Sequence, residues 1–239
     1  MNTSIKKLPL IVLAITIFSS SCTSLNTTNG SSQNSSVVLN TVQSVLKNGT
    51  QDAFAVFGDT EAFMTNALID AAMPKELKDI NRKLESYGLS SVVEKEKALI
   101  SEVAEASITA AKPIVTKAIN KMTPQDAIAI LSGGKGAATQ YLKDKTYTDL
   151  TKAINPVVTS KTESLGINSL LDNALGGNNS SLNEIVGVVL GTGSSANGTV
   201  QLNDAITKQL TDGLFNIVED AENDARSNPT TILNSILTN

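Results

Sequence analysis

From about residue 37 onward, apolar side chains recur at steps of three and four, the period of an α-helix. The strict alternation of a half-buried strand is nearly absent. Val38, Val42, Val45 and Leu46 begin one stripe, which continues toward Ala53, Phe54 and Phe57. A second helix is predicted over residues 75–87, opened by Pro74 and stopped by Gly88. The longest runs over 92–122, with Val92, Leu99, Val103, Ala110, Ile114 and Ala118 along one face. Pro113 predicts a kink or a split in it, because a proline ring clashes with the carbonyl four residues back. Pro156 predicts the same for the helix from Thr148.

Polar residues mark where helices begin. Ser91-x-x-Glu94, Thr123-Pro124-x-Asp126, Thr146-x-x-Asp149 and Ser181-x-x-Glu184 fit the capping box, in which hydroxyl and carboxylate satisfy backbone N–H groups reciprocally. Helix starts are therefore predicted near 91, 123, 146 and 181. Residues 173–199 are dominated by Gly, Asn and Ser around the apolar piece LNEIVGVVLG, which predicts a loop insertion holding one short helix. Helix resumes over 201–226, and Pro229 opens a last short one whose Ile232, Leu233, Ile236 and Leu237 should dock on the core. The expected fold is all-α: a multi-helix bundle in one domain, 37–239, with a Gly/Asn/Ser-rich loop insertion at about 173–199. No repeat of fixed period is present.

The first 36 residues follow another plan. Lys6 and Lys7 precede the apolar run LPLIVLAITIF, then Ser19, Ser20 and Ser21. Basic, apolar, then small is the order of a secretory signal peptide, here 1–21. The run is about half of the roughly 20 residues needed to span a bilayer. Cys22, the one cysteine in the chain, follows directly. It resembles the lipobox cysteine of bacterial lipoproteins, although Ser19 stands where Leu is usual. The alternative is a secreted protein cleaved nearby with a spare thiol, which an oxidising compartment makes a liability. Residues 22–36 then read as a lipidated N-terminus and flexible tether, reaching on the order of 20 Å. Losing Lys6 and Lys7 leaves 17 basic against 23 acidic residues, a net charge of −6. That balance lacks the electrostatic footprint of a nucleic-acid binder.

Composition excludes most ordinary active sites. With no histidine there is no Ser–His–Asp or Cys–His machinery, and no imidazole for zinc, haem or copper. Aromatic residues make up 3% of the chain, leaving few stacking platforms. No cofactor and no metal are expected. The stretch SGGKGAAT (132–139) resembles a phosphate-binding loop, but Lys135 is followed by Gly136 rather than Ser or Thr, and no strand precedes it. A tight helix–turn–helix, with Gly133 or Gly134 as a C-cap at positive φ, accounts for it better. Glu94, Glu102 and Glu105 on the long helix read as solvated surface, as do Glu219, Asp220, Glu222 and Asp224 on the penultimate one. Lys75, Lys78 and Arg82, interleaved with Glu76 and Asp79, read as one exposed face.

MTPQDAIAILSGGKGAATQYLKDKT (122–146) resembles the signature of an uncharacterised bacterial family, domain of unknown function forty-one ninety-seven. AKPIVTKAI (111–119), LNDAITKQLTDGLF (202–215) and ARSNP (225–229) fit the same family, so the likeness covers about 40–237. Ser101 and Glu102 stand where relatives often carry Asn-Arg, and the segment before Leu202 is richer in Gly and Asn. The resemblance implies an exported, mostly helical protein of unknown role.

The first expectation is a lipid-anchored bacterial envelope protein facing the periplasm, on the outer membrane, that acts by binding or as a scaffold. Its candidate surface is a groove around Gly133, Gly134, Lys135, Gln140 and Tyr141, together with Asp212 and Phe215. Expected partners are the membrane, through lipid on Cys22, and an envelope protein or small ligand, with no nucleic acid. The alternative is a carboxylate-dependent envelope hydrolase using Glu102, Glu105, Asp126 or Asp212, which requires two carboxyls to converge in a cleft.

Overall fold

The computed structural model describes residues 30–170, apart from residue 168, and residues 198–228. The predicted signal peptide, Cys22, residues 173–197 of the insertion with the Ser181 start, and the helix after Pro229 lie outside the described residues. Among the described residues are eight helices and no strand, as the helical period requires. In chain order they are α1 (Gly30–Phe57), α2 (Thr60–Thr65), α3 (Ala67–Ala72), α4 (Lys75–Ser86), α5 (Ser90–Asn120), α6 (Pro124–Ser132), α7 (Ala137–Ser164) and α8 (Gly198–Ser227). None of these is long and apolar enough to cross a membrane.

The four long helices, of 28 to 31 residues, form the body. α1 packs on α8, α8 on α7, α7 on α5, and α5 on α1, closing a ring of four around one core. Leu46, Ile100, Leu142, Leu150, Ile154 and Ile206 fill it. The short helices dress this ring: α3 covers α8, α2 bridges α1 and α5, α4 rests on α5 and α8, and α6 lies along α1 before turning into α7.

Two glycines let α8 approach its neighbours closely. A Cβ on Gly49 would sit 3.1 Å from Ala221 Cβ and 3.3 Å from the Val218 backbone, and one on Gly213 would meet Ile69 Cδ1 at 2.7 Å. Small hydroxyls enter the core because they need no outside partner. Thr50, Ser107, Thr146, Thr207 and Thr211 each donate to the carbonyl four residues back, at 2.6–2.8 Å.

Several sequence expectations are corrected. Residues 30–36, read as tether, are the first two turns of α1. Once Val42 and Leu46 are buried, extending the helix backward gains a bond for each residue fixed and has no nucleation cost. α2 and α3 were not legible from periodicity; Asp59 and Asn66 cap them by accepting from Ala62 N and from Leu68 and Ile69 N. The Ser91-x-x-Glu94 box does not form, because the N-cap of α5 is Leu89, two residues earlier, and Ser91 already lies inside the helix. Thr146 starts nothing: it is buried inside α7, bonded to Leu142. α5 runs unbroken through Pro113 and α7 through Pro156. Pro113 and Pro156 are exposed, as are Thr109 and Lys152, whose carbonyls they free to water. The buried face of α5 is also offset from the predicted one, running through Val93, Glu96, Ile100, Val103, Ser107, Ala111, Val115 and Ile119.

Candidate functional site

The turn between α6 and α7 holds the glycines singled out in the sequence. α6 begins as predicted: Thr123 Oγ1 accepts from Asp126 N at 3.2 Å, and Asp126 Oδ2 accepts from Thr123 N at 2.9 Å. Gly133 ends it at φ −77, and the positive φ belongs to Gly136, at +74, not to Gly133 or Gly134. Gly133, Gly134 and Lys135 are exposed, and so is Gln140, which donates to Asp144 at 2.6 Å.

Gly136 stands at the N-cap of α7 and has no side chain to accept the first N–H groups of that helix. Glu222 of α8 supplies the acceptor. It is 1% exposed, and its carboxylate accepts from Ala138 N at 2.9 Å, Thr139 N at 2.8 Å and the Thr139 hydroxyl at 2.9 Å. Arg226, one turn on, donates through Nε to Glu222 at 2.8 Å. It also donates to the carbonyls of Ile130 in α6 at 3.0 Å and of Gly133, the C-cap of that helix, at 3.4 Å. One ion pair on α8 thus caps the end of α6 and the start of α7 together. Reading Glu222 as solvated surface was wrong, because periodicity shows what shares a face but not what stands opposite. Glu219, Asp220, Asp224, Glu94, Glu102 and Glu105 are exposed as expected.

Tyr141 belongs to a different surface. With Ile114, Lys117, Ala118, Lys121, Thr123, Asp126, Lys145, Thr146 and Asp149 it lines an open groove of about 520 Å³ between α5, α6 and α7. Its hydroxyl donates to Asp126 Oδ2 at 3.3 Å, and Lys145 Nζ lies 5.6 Å from its ring centroid. The Thr123 side chain, its backbone N–H, Tyr141 and Lys145 hold the Asp126 carboxyl below its ordinary range. Burial, then the Asp126 charge, pushes the Tyr141 phenol up. Lys117, Lys121 and Lys145 form no ion pair among the described residues.

Asp212 and Phe215 lie on the other side of α7. Residues 141 and 143 are about 200° apart around a helix, so Lys143 and Tyr147 face α8 while Tyr141 and Lys145 face the groove. Phe215 is buried and stacks on Tyr147, with ring centroids 6.1 Å apart. Lys143 Nζ lies 5.3 Å from the Tyr147 ring and 5.6 Å from that of Phe215, and pairs with Asp212 at 3.4 Å. Lys208 completes the cluster against Asp212, a hydrogen bond that raises the lysine pKa. The sequence candidates therefore do not form one groove. Nor do the four carboxylates of the hydrolase reading converge: Glu102 and Glu105 are exposed on α5, Asp126 is in the groove, and Asp212 is across α7. Among the described residues no group of three or more acidic residues is placed to hold a metal.

The profile of a family described as "Protein of unknown function (DUF4197)" matches residues 32–239. The chain belongs to that family. No curated protein and no solved structure matches it. In this DUF4197 chain, the stretches that carried the resemblance meet in space. Residues of 122–146 meet 225–229 through the Arg226 bonds to Ile130 and Gly133, and meet 202–215 through the Lys143–Asp212 pair. Ser101, at one departure from the family pattern, is buried and donates to the Ala98 carbonyl at 2.7 Å and Thr60 Oγ1 at 3.2 Å, while Glu102 points to solvent. Much of what looks like motif is thus the joinery of the α6–α7–α8 corner.

Proposed function

We propose that this chain is a lipid-anchored protein of the bacterial envelope that works by binding, and that its binding surface is the α5–α6–α7 groove. The observation that carries the reading is three lysines without ion pairs, Lys117, Lys121 and Lys145, around the Tyr141–Asp126 pair. The chain as a whole carries a net charge of −4, so a locally cationic groove stands against its background. Ile114 and Ala118 give the groove an apolar wall, and the Tyr141 ring a flat face. A ligand matched to that lining is small, carries a carboxylate or phosphate, and presents an apolar body between the charges.

Solution NMR on the isotope-labelled protein, titrated with a panel of small carboxylates and phosphate esters, tests the groove. Shifts are expected at Ala118, Tyr141, Lys145 and Thr146, and the K117E/K121E/K145E variant should abolish them. Shifts scattered elsewhere, or undiminished in that variant, would rule the groove out. The anchor rests on the order of residues 1–22 and is tested separately by fatty-acid labelling of wild type against Cys22→Ala. Equal incorporation in the two would remove the lipid from the proposal while leaving the groove untouched.

The hydrolase reading has less support, since its carboxylates are dispersed. The scaffold reading gains from the Glu222–Arg226 joinery, but it does not account for the unpaired lysines.

A further inference from the structure

Glu96 lies on α5 beneath α4, with 1% of its surface exposed. Glu222, equally buried, has an arginine and three other donors. Glu96 has no ion pair among the described residues. Lys97, next along the chain, pairs with Asp70 of α3 at 3.5 Å. Asn81 of α4 stands beside Glu96 and favours its charged form, and its amide nitrogen reaches Met73 Sδ at 3.7 Å. Three buried oxygens in this corner have no donor: Glu96 Oε2, Asn81 Oδ1 and Gln209 Oε1 of α8. With Glu96 ionised, all three are acceptors, and none can satisfy another. A proton on Glu96 turns its carboxyl into a donor and removes its charge, which an amide rotation of Asn81 or Gln209, exchanging an oxygen for an NH2 group, does not do.

The cationic groups on the neighbouring helices are committed elsewhere. On α4, Lys75 and Arg82 pair with Asp79, Lys78 bonds the Ala71 carbonyl, and Lys83 lies over the Tyr87 ring. On α8, Lys208 pairs with Asp212. α4 itself is held chiefly by α5 and α8, through Leu77, Ile80 and Leu84. It ends in a turn at Gly88, with φ +76.

We propose that Glu96 is a proton-operated latch: as a neutral acid it holds α4 on the bundle, and on ionising it lets α4 lift and uncover the faces of α5 and α8 beneath. Burial supports the same direction, pushing the carboxyl up to about 7, with Asn81 and Lys97 only partly offsetting it. A group whose value is raised in the closed form favours closure below its open-form value, and that advantage is lost as pH rises through the closed-form value. The latch is therefore held most firmly in mild acid and loosens between about pH 5 and 8. In the envelope proposed above, such a device would meet the pH of the surroundings.

Amide hydrogen exchange over residues 75–86 of the full chain, corrected for intrinsic rates, reads the opening equilibrium directly. Carboxyl values of 4.5 open and about 7 closed predict an opening constant rising about 70-fold from pH 5 to pH 8. In Glu96→Gln, which keeps the shape and cannot ionise, the constant should stay flat. The Glu96 carboxyl carbon, followed by NMR in the wild type, should titrate near neutrality. A wild-type opening constant that does not change with pH, an equal rise in Glu96→Gln, or a carbon midpoint in the ordinary carboxylate range would each overturn the latch. None of these readouts depends on the groove or its ligand.

Discussion

Removing the Glu222 carboxylate should cost more than any other single polar change in the molecule. Glu222→Ala strands two backbone N–H groups and a threonine hydroxyl at the start of α7, and leaves Arg226 without its anion. Losing an N-cap acceptor costs about 0.5–2 kcal/mol. Each stranded buried donor costs about 1–3 kcal/mol, and breaking a buried ion pair about 3–5. These terms describe overlapping losses and do not add, so the expected total is about 3–5 kcal/mol. Glu222→Gln keeps one acceptor oxygen and most of the volume, and should lose about half as much. Arg226→Ala should cost about 1–3 kcal/mol, because Arg226 is partly exposed and Glu222 keeps its three other donors.

Urea unfolding of the wild type, the three variants and the Glu222→Ala/Arg226→Ala double variant provides the measurement. The cycle should return a coupling of about 1–3 kcal/mol between the two residues. Exchange at the Ala138 and Thr139 amides should accelerate in Glu222→Ala before the rest of α7 is affected. A loss under about 1 kcal/mol, with those amides as protected as before, would refute the idea that α8 caps α7.

Gly136→Ala should destabilise by about 1–2 kcal/mol in the same urea assay, since it forces a Cβ into left-handed backbone and to 3.0 Å from Glu219 Oε1. Gly49→Ala should cost about 1 kcal/mol net, overpacking against the Val218 backbone outweighing the gain in helix propensity, and thermal melts would show it. Thr123→Ala should cost about 1 kcal/mol through the lost cap on α6. The Asp126 value is held down in the fold, so its contribution is present above the ordinary aspartate range and lost as pH falls through the folded value. Asp126→Asn should therefore flatten the acid limb of the stability profile, as urea midpoints from pH 2 to pH 6 would register.

What could be read from the sequence was what a helix says about itself. The apolar period, Pro74 and Gly88 around α4, and the Thr123–Asp126 box all describe bonds made within a few residues, and each stands in the structure. Thr146 and Ser91 carry the same local spelling without the same outcome: the Thr146 hydroxyl bonds back to the preceding turn of α7, and Ser91 already lies inside α5, past its N-cap Leu89. The residues with unusual environments, Glu96 and Glu222, were not legible, since each looks on its own helix like any surface acid. One clue was available for Glu222. The segment GGKGAAT starts a helix with Gly136 and two alanines, leaving N–H groups that no local side chain can satisfy. Such a start must either face water or borrow an acceptor, and the burial of Ala138 and Thr139 leaves only borrowing. An acid followed four residues later by an arginine, as in Glu222 and Arg226, is a fitting lender, because its cation can serve the carbonyl end of the preceding helix at the same time. The same reasoning explains why a glycine-rich turn that resembles a phosphate loop is not open to phosphate here: its first helical amides already hold an anion, and that anion is part of the protein.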